Sequence, residues 1–297
     1  MAADRAPLLE PVADLGPVDG PLIVFGGPLG NLDALDALME SAKREGIAPR
    51  QMLSTGDTVA YCADPAACAA RLRDAGIHVV MGNCEEAVAA GAEDCGCDFV
   101  TGSACDLLAA EWYGFARSQI GADLRAWMET LPRRLVFTMG GTRFAVIHGG
   151  ARRINRYLFA SDRVGLTEET AALGADVVIA GHAGLPFTTD IGDRLWHNPG
   201  ALGLPANDGT PRVWYGHISC AAGVIAIAHR ALDYDHRAQA EKMRAAGLPE
   251  AYARALETGL WPDTAILPEA ETEATGTALG PLAITWKAPV AAERVNP

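Results

Sequence analysis

The chain has 297 residues, 49% of them apolar, enough for one large α/β domain or two smaller ones with a sizeable core. Its formal charge of −13 disfavours non-specific nucleic-acid binding, which needs basic patches. No run of about 18 apolar residues offers a membrane span. The acidic, Pro-containing stretch 1–20 lacks the basic-then-apolar order of a signal peptide, so a cytoplasmic protein is expected.

In chain order, residues 21–26 form a short apolar run ending in glycines, the mark of a buried strand. Residues 32–45 carry apolar side chains at helical spacing (Leu32, Leu35, Leu38, Met39, Ala42), and Asn31 is placed to cap that helix. A second strand over 51–54 ends at Gly56-Asp57. A helix over 65–75 follows, with Pro65 in its first turn and Gly76 past its end, and a third strand over 77–81 ends at Gly82-Asn83. Alternating strands and helices are the pattern of a parallel α/β sheet.

Residues 85–115 read as irregular and then partly helical, and 121–130 as a helix closed by Leu131-Pro132. From there the pattern turns antiparallel. Strands over 135–139 and 143–147 flank the turn signal Gly140-Gly141, and the second delivers His148. A short helix over 167–173 precedes a buried strand over 177–180 that ends at Gly181-His182. Strands over 188–191 and 194–197 flank Gly192-Asp193, and two more span 213–218 and 223–229. A mixed sheet or two-sheet sandwich is expected. Helices over 235–246 and 250–258 are separated by Gly247-Leu248-Pro249. The expected organisation is an N-terminal extension over 1–20, a main domain over 21–235, a helical segment over 236–267 packed on it, and a loosely ordered tail over 268–297.

Seven cysteines are an odd number, and with no secretion signal they point to reduced thiols rather than a disulfide framework. Cys84, Cys95, Cys97 and Cys105 fall close together, while Cys62, Cys68 and Cys220 read as small buried residues.

Five short motifs punctuate these elements: Phe25-Gly26-Gly27-Pro28-Leu29-Gly30-Asn31, Gly56-Asp57, Gly82-Asn83-Cys84-Glu85, His148-Gly149-Gly150 and Gly181-His182-Ala183-Gly184. The last four follow apolar runs and bring Asp57, Asn83, His148 and His182 to one sheet edge, a ligand set suited to a divalent metal. The first supplies no ligand. It reads either as a tight strand-to-helix turn or, through Gly27 and Asn31, as a phosphate cradle at a helix N-terminus. Arg152, Arg153 and Arg156 follow His148, and Arg152 is placed either to meet a phosphate oxygen or to form a solvated turn. His197, beside Asn198-Pro199-Gly200, is a further substrate-binding candidate, whereas His78, His217, His229 and His236 read as structural.

The order and spacing of these motifs over residues 21–260 resembles the calcineurin-like metallophosphoesterases, in particular their YfcE-like bacterial branch. The resemblance extends to Asn31-Leu32-Asp33-Ala34-Leu35, Gly56-Asp57-Thr58-Val59-Ala60-Tyr61, Asn198-Pro199-Gly200-Ala201 and Tyr234-Asp235. It implies a four-layer α/β/β/α sandwich of two mixed sheets and a site for two metal ions bridged by Asp57. One ion would take Asn83, His148 and His182. The other would take an Asp-x-His pair, whose slots here hold Gly27 and Leu29, and a last His, whose slot holds Gly184. Cys84 stands where the family has a His that assists at the phosphate or leaving group, and Glu85 replaces an Asp, a mild change.

The losses therefore collect on one metal position. The reading that follows is a hydrolase of a small phosphomonoester or phosphodiester with one divalent ion (Mn, Fe or Zn), in which Asp57, Asn83, His148 and Cys84 carry the chemistry. Cys95 and Cys97 are alternative thiol ligands that would refill the second position with a softer metal. The competing reading is a metal- or ligand-binding regulatory protein on a degenerate scaffold, without turnover. The expected partner is a small phosphorylated molecule, with a homo-oligomer as one assembly.

Overall fold

The computed structural model describes residues 6–99 and 102–288. Along the chain its strands are β1 (Val12–Pro17), β2 (Leu22–Phe25), β3 (Met52–Ser54), β4 (His78–Val79), β5 (Arg134–Met139), β6 (Thr142–Ile147), β7 (Val177–Ala180), β8 (Phe187–Asp190), β9 (Leu195–Asn198), β10 (Val213–Ala221), β11 (Val224–Leu232) and β12 (Leu282–Trp286). The helices are α1 (Leu32–Arg44), α2 (Pro65–Ala75), α3 (Asn83–Ala90), α4 (Ala104–Gln119), α5 (Ala122–Glu129), α6 (Arg163–Leu173), α7 (His236–Ala245), α8 (Glu250–Thr258) and α9 (Glu269–Glu273).

Two mixed six-stranded sheets result, in the orders β12-β11-β10-β2-β3-β4 and β1-β5-β6-β7-β9-β8. The short strands β2 and β7 are apolar at every position because both of their faces are covered. In β2, Leu22 and Val24 point into the layer between the sheets, and Ile23 and Phe25 point at the helices outside. Val177 and Ile179 of β7 also enter the inter-sheet core, while Val178 and Ala180 meet Leu166 of α6. Leu35, Leu38 and Ala42 bring α1 onto the opposite outer face. The layers are helix, sheet, sheet, helix, the sandwich that the motif series implied.

Three segments depart from the sequence reading. The N-terminal stretch is not merely an extension, since β1 pairs in parallel with β5 and its Ala13 and Leu15 pack on the inter-sheet core. The tail supplies α9 and β12, and β12 extends a sheet by pairing with β11. Residues 289–297 of that tail lie outside the described residues. Each of these edge strands offers only two or three inward apolar side chains, too few to show a period, and the neighbouring strand sets its register. The stretch read as irregular is dominated by α3 and α4, which join α5, α7 and α8 in a helical cluster beside the strand ends, with Trp112, Met128, Met243, Tyr252 and Leu256 in its core.

His197 is corrected as a substrate-binding residue. On β9 it points with Leu195 into the layer between the sheets, where Nδ1 meets the Thr188 hydroxyl at 2.9 Å. That hydroxyl also meets Nε2 of His229, on the other sheet, at 2.8 Å. Gly216 makes room, because a methyl there would overlap the His197 ring. Burial pushes His197 well below the usual histidine range and His229 down to about 4. Both rings are neutral in folded and unfolded chains above pH ~6.5, so they add no pH dependence there. Below it the unfolded chain takes up protons that the fold excludes, and stability falls. Between pH ~6.5 and about 4, His229 alone removes on the order of 3 kcal/mol. Urea unfolding across this window should give a shallower slope for His229→Gln than for the natural chain; equal slopes would contradict the assignment.

Candidate metal centre

The four retained motifs meet where the two sheets present their strand ends. β3 leads to Asp57 and β4 to Asn83 at the start of α3, both from one sheet; β6 leads to His148 and β7 to His182, both from the other. Close approach of these loops requires glycine. A methyl on Gly82 would overlap the Asp57 carboxylate, and one on Gly181 would overlap the Thr55 hydroxyl.

Four atoms converge. His148 Nε2 lies 2.8 Å from His182 Nδ1, 3.0 Å from Asn83 Oδ1 and 3.2 Å from Asp57 Oδ2, and His182 Nδ1 lies 3.9 Å from that same oxygen. The far atoms of three of these side chains are held by the protein. His148 Nδ1 donates to the Thr55 carbonyl at 2.7 Å, which leaves the Nε2 lone pair facing the site. Asn83 Nδ2 donates to the Cys95 carbonyl at 2.8 Å, and Asp57 Oδ1 accepts from the Cys84 amide at 3.1 Å. The His182 ring lies against Tyr157, their centroids 4.2 Å apart.

Burial opposes the charge on Asp57, but the imidazoles beside it, His148 above all, outweigh burial and hold its carboxyl far below the usual range. Burial pulls His148 down, and the Asp57 carboxylate more than reverses this, so the ring is raised. His182 is lowered, chiefly by burial. Lone-pair donors packed this closely around an anionic oxygen fit a divalent cation.

One residue escaped the sequence reading. Glu85, which looked like a mild replacement, is fully buried, and one of its oxygens accepts from the Asp57 amide at 2.8 Å and the Gly82 amide at 2.9 Å. The other accepts from the Thr58 amide. It therefore fixes the loop that carries Asp57, whose φ is +59°. The only local signal was a carboxylate three residues past Gly82 at a helix start, a capping position.

The model of the calcineurin-like phosphoesterase superfamily domain matches residues 30–220, nearly two thirds of the chain. The chain belongs to the calcineurin-like phosphoesterase superfamily. The match begins just past Gly27 and Leu29, the slots that hold no ligand. Among solved structures, a metallophosphoesterase from Sphaerobacter thermophilus is similar at 23% identity, covering 82% of this chain and 100% of that one with a TM-score of 0.65. The protein PH1004 from Pyrococcus horikoshii OT3 is similar at 16% identity, covering 81% and 99% with a TM-score of 0.69. Both share the fold. No curated protein matches the chain.

Two of the slots that the resemblance assigns to a second metal position hold glycine, and both glycines line the open cleft. A side chain at residue 27 would run into the Asp57 carbonyl and Leu29, and a Cβ on Gly184 would touch the Trp261 indole at 3.4 Å. Cys95 and Cys97 do not refill that position as thiolates, because the two are joined in a disulfide, against the expectation of reduced thiols. The side chain of Cys105 lies outside the described residues. Cys84 contributes its amide, but its thiol is buried in the helical cluster and does not line the cleft beside the site. Burial first, and then the neighbouring Asp57, push that thiol well above its usual range, so it is a poor candidate for acid-base work.

The phosphate-cradle reading of the first motif also fails. The Leu29 and Gly30 amides donate to the Asp57 and Thr58 carbonyls, and the Asn31 amide donates to the Pro28 carbonyl, so the loop is a tight turn. Asn31 is buried as the cap of α1, accepting from the Ala34 amide and donating to the Gly203 carbonyl and the Tyr234 hydroxyl. Gly27 does line the cleft. Arg152 does not: its Nε donates to the Ala6 carbonyl, and Arg153 and Arg156 pair with Asp98 and Glu169.

Proposed function

We propose that the protein hydrolyses a small phosphorylated ester with one divalent ion held by Asp57, Asn83, His148 and His182. The observation that supports this most is the convergence of the four donor atoms, with the opposite atoms of three side chains tied back by Thr55, Cys95 and Cys84. A divalent ion there would polarise a phosphoryl oxygen and acidify a bound water. The chain's own part is to hold these donors in place and to wall the reacting group within a cleft. Hydrolysis breaks a P–O ester bond, with the oxygen of water going to phosphorus and a proton to the departing oxygen. With the Cys84 thiol outside the cleft, no side chain in that slot protonates the leaving group, so esters with acidic leaving groups should react fastest.

The test pairs metal analysis of the purified protein with hydrolysis of 4-nitrophenyl phosphate and bis(4-nitrophenyl) phosphate in Mn²⁺, Fe²⁺ or Zn²⁺. Asp57→Asn keeps the size of the side chain but removes its charge, and turnover should fall by about a hundredfold or more. About one ion per chain with turnover lost in that variant supports the proposal. Tight metal with no turnover on either ester would assign the scaffold to metal or ligand binding instead.

A further inference from the structure

The cleft beside the candidate metal centre has an unusual wall for a phosphate site. Its apolar side is built from Leu29, Tyr61, Phe99, Tyr252 and Trp261. Among the described residues that line it there is no Lys or Arg, and its carboxylates are Asp57 and Asp263. The aromatic wall is held in position. Trp261 donates its indole N–H to the Pro205 carbonyl at 2.7 Å and its amide to Asn207 Oδ1 at 2.8 Å. Tyr61 stacks on Tyr252 with centroids 4.5 Å apart, and its edge meets Trp112. The indole lies near Gly184, where a Cβ would come to within 3.4 Å of its ring.

These features point to one ligand chemistry. Two carboxylates balance one divalent ion, and no Lys or Arg among the described lining residues supplies further positive charge. A phosphomonoester dianion would therefore be under-compensated, whereas a phosphodiester carries a single negative charge. The binding energy that a second ion would have provided must come from the organic part of the ligand. Fixed rings offer it to a planar group through apolar burial and offset or edge contacts. Resting on the proposed function, we infer that this cleft selects monoanionic phosphodiesters in which one ester arm carries an aromatic ring, and that Trp261 and Tyr252 are the specificity-determining residues.

The test reads binding, so it does not depend on turnover. Calorimetric titration of Mn²⁺-loaded protein would compare methyl phenyl phosphate, dimethyl phosphate and phenyl phosphate. The first and second differ only in the ring; the first and third share the ring but differ in charge. Methyl phenyl phosphate should bind about tenfold or more tighter than dimethyl phosphate, and tighter than phenyl phosphate. Trp261→Ala and Tyr252→Ala should each narrow the preference for the ring while metal stoichiometry stays unchanged, and Trp261→Phe should keep most of it. Equal affinity for the two diesters, or stronger binding of phenyl phosphate, would overturn the inference in the natural chain whatever the variants do. Selective binding of methyl phenyl phosphate without hydrolysis would instead remove the catalytic reading and leave the ligand class standing.

Discussion

Glu85→Ala is expected to destabilise the protein by about 3–5 kcal/mol and to abolish metal binding at the candidate centre. One buried carboxylate is the acceptor for the amides of Asp57, Thr58 and Gly82. Removing it leaves three N–H groups without that acceptor in a region sealed by the helical cluster, each at a cost of about 1–3 kcal/mol before relaxation. The loop it secures is strained, since Asp57 adopts a positive φ that only a well-determined surrounding keeps in place. Released, that loop would turn the Asp57 carboxylate away from His148 and His182. Glu85→Asp should fall between the two, because the side chain is one methylene too short to reach all three amides. Urea unfolding gives the stability and metal analysis the second readout. A loss below about 1 kcal/mol would show that the loop is held by something else.

His148→Ala should erase the stabilisation that metal confers. An ion that binds only the folded chain adds about 2.7 kcal/mol at a concentration one hundred times its dissociation constant. His148 stands at the middle of the donor set, since Nε2 is within 3.2 Å of Asp57, Asn83 and His182 donor atoms alike. Without it, the remaining donors surround a gap. The metal-free variant should stay folded, because the main bond it loses is the one to the Thr55 carbonyl. Thermal melts with and without Mn²⁺ would then coincide for the variant and remain separated for the natural chain. A variant that kept the full metal-dependent shift would remove His148 from the ligand set.

Much of this site was legible along the chain because its signals are local. A short, largely apolar strand run leads to a glycine, and the next residue is Asp57, Asn83 or His182. Strand, turn and ligand lie within a few residues, so the sequence shows them together. The slots at Gly27, Leu29 and Gly184 were read from the family resemblance, counted from the intact neighbouring motifs. Other residues misled because local position does not say which way a side chain points. His197 sits at a strand end like the ligands, yet the alternation of β9 sends it between the sheets to Thr188 and His229. Arg152 follows His148 closely, yet it turns back to the N-terminal segment. Asn31 looked like a ligand-binding residue and a cap at once, and the structure uses it as the cap.

The sequence by itself therefore indicated a mixed two-sheet fold and four candidate donors, because each is written in short runs whose geometry follows from strand and turn chemistry, while the layer order and the empty second-metal slots followed from the family resemblance. Tertiary structure alone decided what surrounds the site. Glu85 acts on a loop that a different strand delivers, and Trp261 reaches Gly184 from a segment beyond the last sheet motif. Contacts made across such separations depend on how sheets and helices pack, and packing leaves no periodic trace in either segment.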